Sequence, residues 1–248
     1  MMAEFEIRSD MGCAGATALG LIVLKTDETM EVELRGVFAS ARTACYHARI
    51  PSHALVTPET LAEMERDLPK TADLLPPGTS FGAIGYGCTS GAVVIGPDNV
   101  AQAIHQIHPR ANVTDPITAV MAALHRVGAR KIGLVTPYLA EVTREMRALL
   151  ESQGFEITQV MAFGESQDRL IARISESTTL EAIKRVGASD CDAVFTSCTN
   201  LRSFGILAQA EALIGKPVIS SNQALGWHML KLAGVPFAGC GPGQLFSA

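Results

Sequence analysis

Two short segments carry residue types that could do chemistry together. Residues 82–90 (GAIGYGCTS) and 192–200 (DAVFTSCTN) align without a gap, and each is a brief apolar run closing on Cys-Thr and one further polar residue. A thiol at the end of a strand and the start of a helix meets the positive end of the helix dipole, which favours the thiolate as base or nucleophile. Beside each sulfur, the hydroxyls and backbone N–H groups of Thr89, Ser90, Thr199 and Asn200 offer donors to a substrate carboxylate. A lone free cysteine usually packs as a small hydrophobe. Cys88 and Cys198, at matching places in a repeat and each followed by Thr, point instead to a pair that works on one substrate. Cys13, Cys45, Cys191 and Cys240 lack that setting and read as packing residues.

The elements that must position the pair repeat too. Residues 19–23 answer 132–135, and 112–116 answer 217–221, so each half reads strand, helix, Cys-Thr strand, helix, strand, helix. The helical stretches are 58–68 and 141–153 before the cysteine strands, with 99–107 and 203–214 after them. Strands alternating with helices predict an α/β fold with parallel sheets and right-handed crossovers, and in open sheets of this kind ligands bind beyond the carboxyl ends of the strands. The 248 residues then divide into an N-terminal lobe, 1–115 plus 221–248, and a C-terminal lobe, 116–220. The helix 223–233 and the tail 235–248 return to the first lobe. No low-complexity linker separates the lobes, which favours a fixed cleft between them.

Composition removes several function classes. With 48% hydrophobic, 18% charged and 5% aromatic residues the chain is neither disordered nor a solvating tail. A net charge of −5 without any Lys/Arg cluster gives no footprint for nucleic acid or an anionic membrane. The apolar stretch 11–24 is too short to span a bilayer and lacks a basic leader, so a cytoplasmic location is expected. There is no C-x-x-C pair. Gly85-Tyr86-Gly87 fails as a dinucleotide fingerprint because Ser90 stands where the third glycine belongs, and Gly215-Lys216 is followed by Pro instead of Ser or Thr. His105 and His108 share a helix face without a third ligand. Neither metal nor nucleotide cofactor is expected.

Other candidates surround the pair. Asp27 follows the first strand, either within the capped, acidic first turn of a helix or facing the cleft. Tyr138 ends the matching strand of the second half, where its hydroxyl could meet a carboxylate or simply pack. Arg49 and Arg202 could clamp a distal carboxylate, although an Arg after such a turn is commonly a surface charge. The sequence gives Asp168, in Gln167-Asp168-Arg169, no independent support as a lining residue.

The pattern resembles the aspartate/glutamate racemase superfamily, in the branch of maleate cis-trans isomerase, arylmalonate decarboxylase and the ectoine-utilisation racemase-like proteins. The likeness rests on residues 20–31, 46–51, 56–61, 85–91, 135–138 and 196–202, which fall in the same order. It implies two flavodoxin-like lobes related by pseudo-twofold symmetry, an active site in the cleft between them, no cofactor or metal, a small carboxylate substrate and a homo-oligomer, dimer or tetramer. Decarboxylases of the branch keep only the second cysteine, so Cys88 argues against decarboxylation. Maleate isomerases carry Asn where this chain has Asp27, and the ectoine-utilisation group looks most similar there. An ionised Asp repels a carboxylate and attracts an ammonium group or accepts a proton.

These readings lead to proton transfer at the carbon alpha to a carboxylate, in an amino acid or a derivative such as an ectoine breakdown product. Cys88 and Cys198 serve opposite faces, while Asp27 binds the amino group or helps Cys88 lose its proton. Thr89, Ser90, Thr199 and Asn200, then Tyr138, stabilise the enolate-like carboxylate. Other readings stay open beside it: maleate cis-trans isomerisation with Cys88 as nucleophile, and an arylmalonate decarboxylase-like enzyme or a non-catalytic binder of small acids.

Overall fold

The structure is a computed structural model that describes Arg8 and residues 17–247; Cys13 and the start of the apolar stretch lie outside the described residues. Strands β1 (Ala18–Leu24), β2 (Ala44–Ile50), β3 (Phe81–Gly87) and β4 (Asn112–Thr114) form a parallel sheet in the order β2-β1-β3-β4. Strands β5 (Lys131–Thr136), β6 (Glu156–Ala162), β7 (Ala193–Thr196) and β8 (Val218–Ser220) form a second parallel sheet in the order β6-β5-β7-β8. The repeat in the sequence is therefore a repeat in space. Each lobe has the first four strands of the flavodoxin-like order, as expected.

Burial explains which segments became central strands. Every residue of β1 is buried, and Leu19, Leu21, Ile22 and Val23 are wholly so, because helices cover both faces of a parallel sheet and select a continuous apolar run. Strand β2 is more exposed and lies at the edge.

The helices of the first lobe are α1 (Met30–Ser40), α2 (Pro58–Ala62), α3 (Leu68–Ala72), α4 (Thr89–Ile95) and α5 (Pro97–His105), with α6 (Pro116–Arg126) following β4. The expected helix over 58–68 is broken: a 3₁₀ segment, Glu63–Asp67, separates α2 from α3. Pro69 lies in the first turn of α3 and has no N–H with which to continue the helix before it. Second-lobe helices are α7 (Ala140–Ser152), α8 (Asp168–Ile171), α9 (Glu176–Gly187) and α10 (Leu207–Ile214), and α11 (Ser221–Leu232) follows β8. Helix α11 packs on α6, β3 and α1, which places it against the first sheet. Gly85 allows this approach: a Cβ there would stand 2.7 Å from Met229 Sδ. The main core includes Leu19, Leu21 and Ile84 from the first sheet and Leu134, Phe195 and Ile219 from the second, so the lobes share an interior. No helix among the described residues is long and apolar enough to cross a membrane.

Candidate active site

Cys88 and Cys198 end their strands as the sequence indicated, yet the backbone presents them differently. Cys88 is extended (φ −143°) and caps α4: its Sγ accepts the Gly91 N–H at 3.2 Å, in the place usually taken by a Ser or Asp oxygen. Gly87 before it tolerates no side chain, since a Cβ would stand 2.6 Å from Met30 Sδ.

Cys198 does not directly precede a helix, contrary to expectation. Its φ of +97° is a conformation that L residues rarely adopt, and the chain stays irregular until the 3₁₀ turn Phe204–Ile206 leads into α10. Its sulfur meets a loop N–H, that of Asn200 at 3.4 Å, in place of a helix terminus. The strained turn is held by Ser221, whose Oγ accepts the Cys198 N–H at 3.1 Å and the Thr89 hydroxyl at 2.9 Å. Ser221 thus ties both cysteine motifs to one oxygen. Its only sequence signal is a hydroxyl at the carboxyl end of the last strand.

The residues expected to cradle a carboxylate are all buried, and most of them hold the motifs together. Thr89 donates to Ser221, and Thr199 donates to the Gly87 carbonyl at 3.3 Å, across the lobes. The Asn200 amide accepts the Glu28 N–H at 2.9 Å and donates to the Asp168 carbonyl at 3.0 Å. Ser90 Oγ lies 3.8 Å from Cys88 Sγ and faces the Tyr138 hydroxyl. Tyr138, also buried, places its hydroxyl against Cys198.

Asp27 takes the capping place that one of its alternative readings expected, and one of its oxygens is left over. Oδ1 accepts the N–H groups of Thr29 and Met30, each at 2.8 Å, and so caps α1, whereas Oδ2 is buried with no hydrogen-bond partner. Burial raises its pKa to about 6 against the pull of those two bonds and of the nearby Thr199 hydroxyl. Asp168 is buried at the start of α8, where the Thr26 hydroxyl donates to Oδ2. Its charge bears on Asp27 and on both sulfurs. Burial pushes the Cys88 thiol up to about 12 and that of Cys198 well above its ordinary value; the N–H bonds of Gly91 and Asn200 oppose this only in part. Desolvation thus outweighs the helix terminus in the closed site.

Arg49 and Arg202 are not carboxylate clamps here. Arg49 donates to the carbonyls of Leu24, Lys25 and Asp27 and pairs with Glu31; register explains this, because Arg49 sits opposite Val23 on the edge strand. Arg202 donates to the Ile174 carbonyl at 3.0 Å. His105 and His108 each bond a backbone carbonyl. Among the described residues no group of three or more His, Cys, Asp or Glu is placed to hold a metal ion.

The site closes where the segments after β2 and β6 meet: Val56 N–H donates to the Ser166 carbonyl at 2.8 Å and Asp168 N–H to the Ala54 carbonyl at 3.0 Å. Glu33 adds a further link between lobes that the sequence did not suggest. Its carboxylate accepts the N–H groups of Ser203 and Phe204 at 3.1 and 3.2 Å and the Asn222 amide at 2.6 Å, and burial raises its pKa to about 7.

Two like lobes, each with a buried cysteine just past the end of a central strand and both sulfurs bearing on Tyr138, define a cysteine-dependent enzyme of the Asp/Glu racemase-like superfamily. Residues 96–246 match the arylmalonate decarboxylase (Amdase) family, and the chain belongs to that family. The maleate isomerase of Nocardia farcinica is 27% identical over 246 residues, spanning 93% of this chain and 96% of its own. The arylmalonate decarboxylase of Bordetella bronchiseptica is 29% identical over 119 residues, 47% of this chain and 50% of its own. A crystallised cysteine-to-serine mutant of the Nocardia farcinica maleate cis-trans isomerase, with a covalently bound succinylcysteine intermediate, is 25% identical, with a TM-score of 0.82 over 94% of this chain and 98% of that one. Likeness over whole chains makes this protein an isomerase.

Proposed function

We propose that the enzyme inverts the carbon alpha to a carboxylate in a substrate that also carries an ammonium group, an amino acid or an acylated diamino acid. The observation that carries this is Asp27 Oδ2, a buried carboxylate oxygen without a hydrogen-bond partner, on which the charge of a second carboxylate, Asp168, also bears. An ammonium group would complete Asp27. A dicarboxylate would meet like charge, a repulsion of about 4 kcal/mol for one pair at ~4 Å in a partly screened site. The guanidinium groups of Arg49 and Arg202, which might have offset it, are engaged with backbone carbonyls.

One sulfur, as thiolate, takes the alpha proton, and the C–H electron pair moves into an enolate-like carboxylate. The other, as thiol, delivers its proton to the opposite face, and the two sulfurs exchange protonation states. The Ser90 and Tyr138 hydroxyls and the N–H groups of the cysteine turns are the donors available to the developing oxyanion. The raised thiol pKa values fit a thiolate formed only when a bound ammonium group sits nearby. The cycle needs neither metal nor cofactor.

A second reading, cis-trans isomerisation of maleate, is favoured by the names of the whole-length relatives. In it Cys88 adds to the double bond and Cys198 protonates the adjacent carbon. Incubation with amino acids, acylated diamino acids and maleate in D₂O, followed by NMR, separates the two. The proposal expects deuterium at the alpha carbon, lost in Cys88→Ala and in Cys198→Ala. Fumarate formed from maleate, with a succinyl adduct on Cys88 and no alpha exchange in any amino acid, would overturn it.

A further inference from the structure

Whichever bond is made or broken, Cys88 has to become an anion inside a buried site. Two polar groups at its sulfur are already described, the Gly91 N–H that donates to it and the Ser90 hydroxyl 3.8 Å away. A third stands two residues back on β3. Tyr86 is wholly buried, and its hydroxyl donates to Met64 Sδ at 3.6 Å, a thioether and so a weak acceptor. The same hydroxyl and the Cys88 sulfur border one small space over the first turn of α4. A Cβ on Gly91 would stand 2.5 Å from Tyr86 Oη, 2.9 Å from Cys88 Sγ and 3.0 Å from Met64 Cε. A side chain at 91 would part the phenol from the thiol, and glycine leaves them facing.

We propose that Tyr86 is a catalytic residue: its O–H turns from Met64 to Cys88 when that sulfur is an anion and donates the hydrogen bond that makes the thiolate attainable. No proton leaves the phenol, and a weak bond to a thioether is exchanged for a charge-assisted one. The direction agrees with burial pushing the Cys88 thiol up while Gly91, Ser90 and Tyr86 pull it back. Each sulfur then has its own tyrosine, Tyr86 of β3 at Cys88 and Tyr138, from the turn after β5, at Cys198. The chain repeat does not supply this pairing: opposite Tyr86 in the aligned motif is Thr196, whose Oγ1 is buried without a partner.

The inference rests on Cys88 working as a thiolate, which both functional readings require, and its test uses no substrate. Wild type, Tyr86→Phe and Met64→Leu are alkylated with iodoacetamide across a pH series, and modification is read at the Cys88 peptide by mass spectrometry. Tyr86→Phe is expected to slow Cys88 alkylation about tenfold or more at each pH from about 7 to 9, where the thiol is mostly protonated. Met64→Leu, which frees the hydroxyl while filling the space, is expected to match or exceed the wild-type rate. An unchanged Cys88 alkylation rate in Tyr86→Phe overturns the assignment. So does an equal slowing in Met64→Leu or at the Cys198 peptide, since packing would then be the cause. A null result here leaves the D₂O experiment untouched.

Discussion

The Ser221 hydroxyl accepts the backbone N–H of Cys198 at 3.1 Å, and so the first residue of α11 supports the most strained turn in the site. The Thr89 hydroxyl reaches the same oxygen, which sets the two cysteine motifs relative to each other. Ser221→Ala leaves a buried N–H and a buried hydroxyl without an acceptor. It should destabilise the fold by about 1–3 kcal/mol, measured by urea unfolding. Turnover should fall at least tenfold with little change in KM, because the sulfurs lose alignment while Asp27 is untouched. A turnover loss no larger than that of Ser220→Ala, the neighbouring helix cap, would deny Ser221 this role.

How much of this was legible beforehand depends on whether a signal is local. Each cysteine strand carries its own apolar run and Cys-Thr ending, and burial on both faces makes such strands easy to read. Ser221 reaches Cys198 only because β7 pairs with β8 in a register that sets Thr196 opposite Ser220, a fact no local pattern contains. Arg49 misled for a similar reason: its type suits a carboxylate, but register turns it onto the carbonyls that hold the Asp27 loop. Glu33 lies within α1 among ordinary acidic helix residues, and only the meeting of the lobes gives it Ser203, Phe204 and Asn222.

Cys198 pays in backbone strain for its orientation. At φ +97° a glycine is at ease and an alanine is not. Cys198→Gly and Cys198→Ala should both lack alpha-proton exchange, yet the glycine variant should be the more stable by about 1 kcal/mol, as read by chemical denaturation. Equal stabilities would mean that the turn carries no strain.

On the proposed function, Asp27 should set both substrate choice and an acid limb of activity. With its pKa raised to about 6 by burial, the carboxylate is ionised at neutral pH and loses its charge as pH falls through 6. The ammonium group of the substrate stays protonated throughout, so kcat/KM for an amino acid should fall below pH 6, mainly through KM. Asp27→Asn should remove that limb and lower kcat/KM for amino acids about a hundredfold, while improving the binding of maleate. An unchanged preference between amino acid and dicarboxylate in this variant would remove Asp27 from the ammonium site.

Glu33 makes the joint between lobes sensitive to pH. Its folded pKa, raised by burial to about 7 from an ordinary 4.5, means that between those values the folded chain holds a proton that the unfolded chain has released. Stability therefore falls as pH rises from about 4.5 to 7, and the loss is complete above that window. Asp27 acts in the same direction between 3.8 and about 6. Glu33→Gln keeps an oxygen for the Ser203 and Phe204 N–H groups and cannot ionise, so its stability should vary less between pH 5 and 7 than that of the wild type. It should also lower turnover about tenfold at pH 8, where the wild-type carboxylate is charged and grips Asn222 and the turn after Cys198 most firmly. Urea unfolding at a series of pH values checks the first expectation. Steady-state rates at pH 8 check the second, and parallel stability curves for the two proteins would show that Glu33 does not titrate in this range.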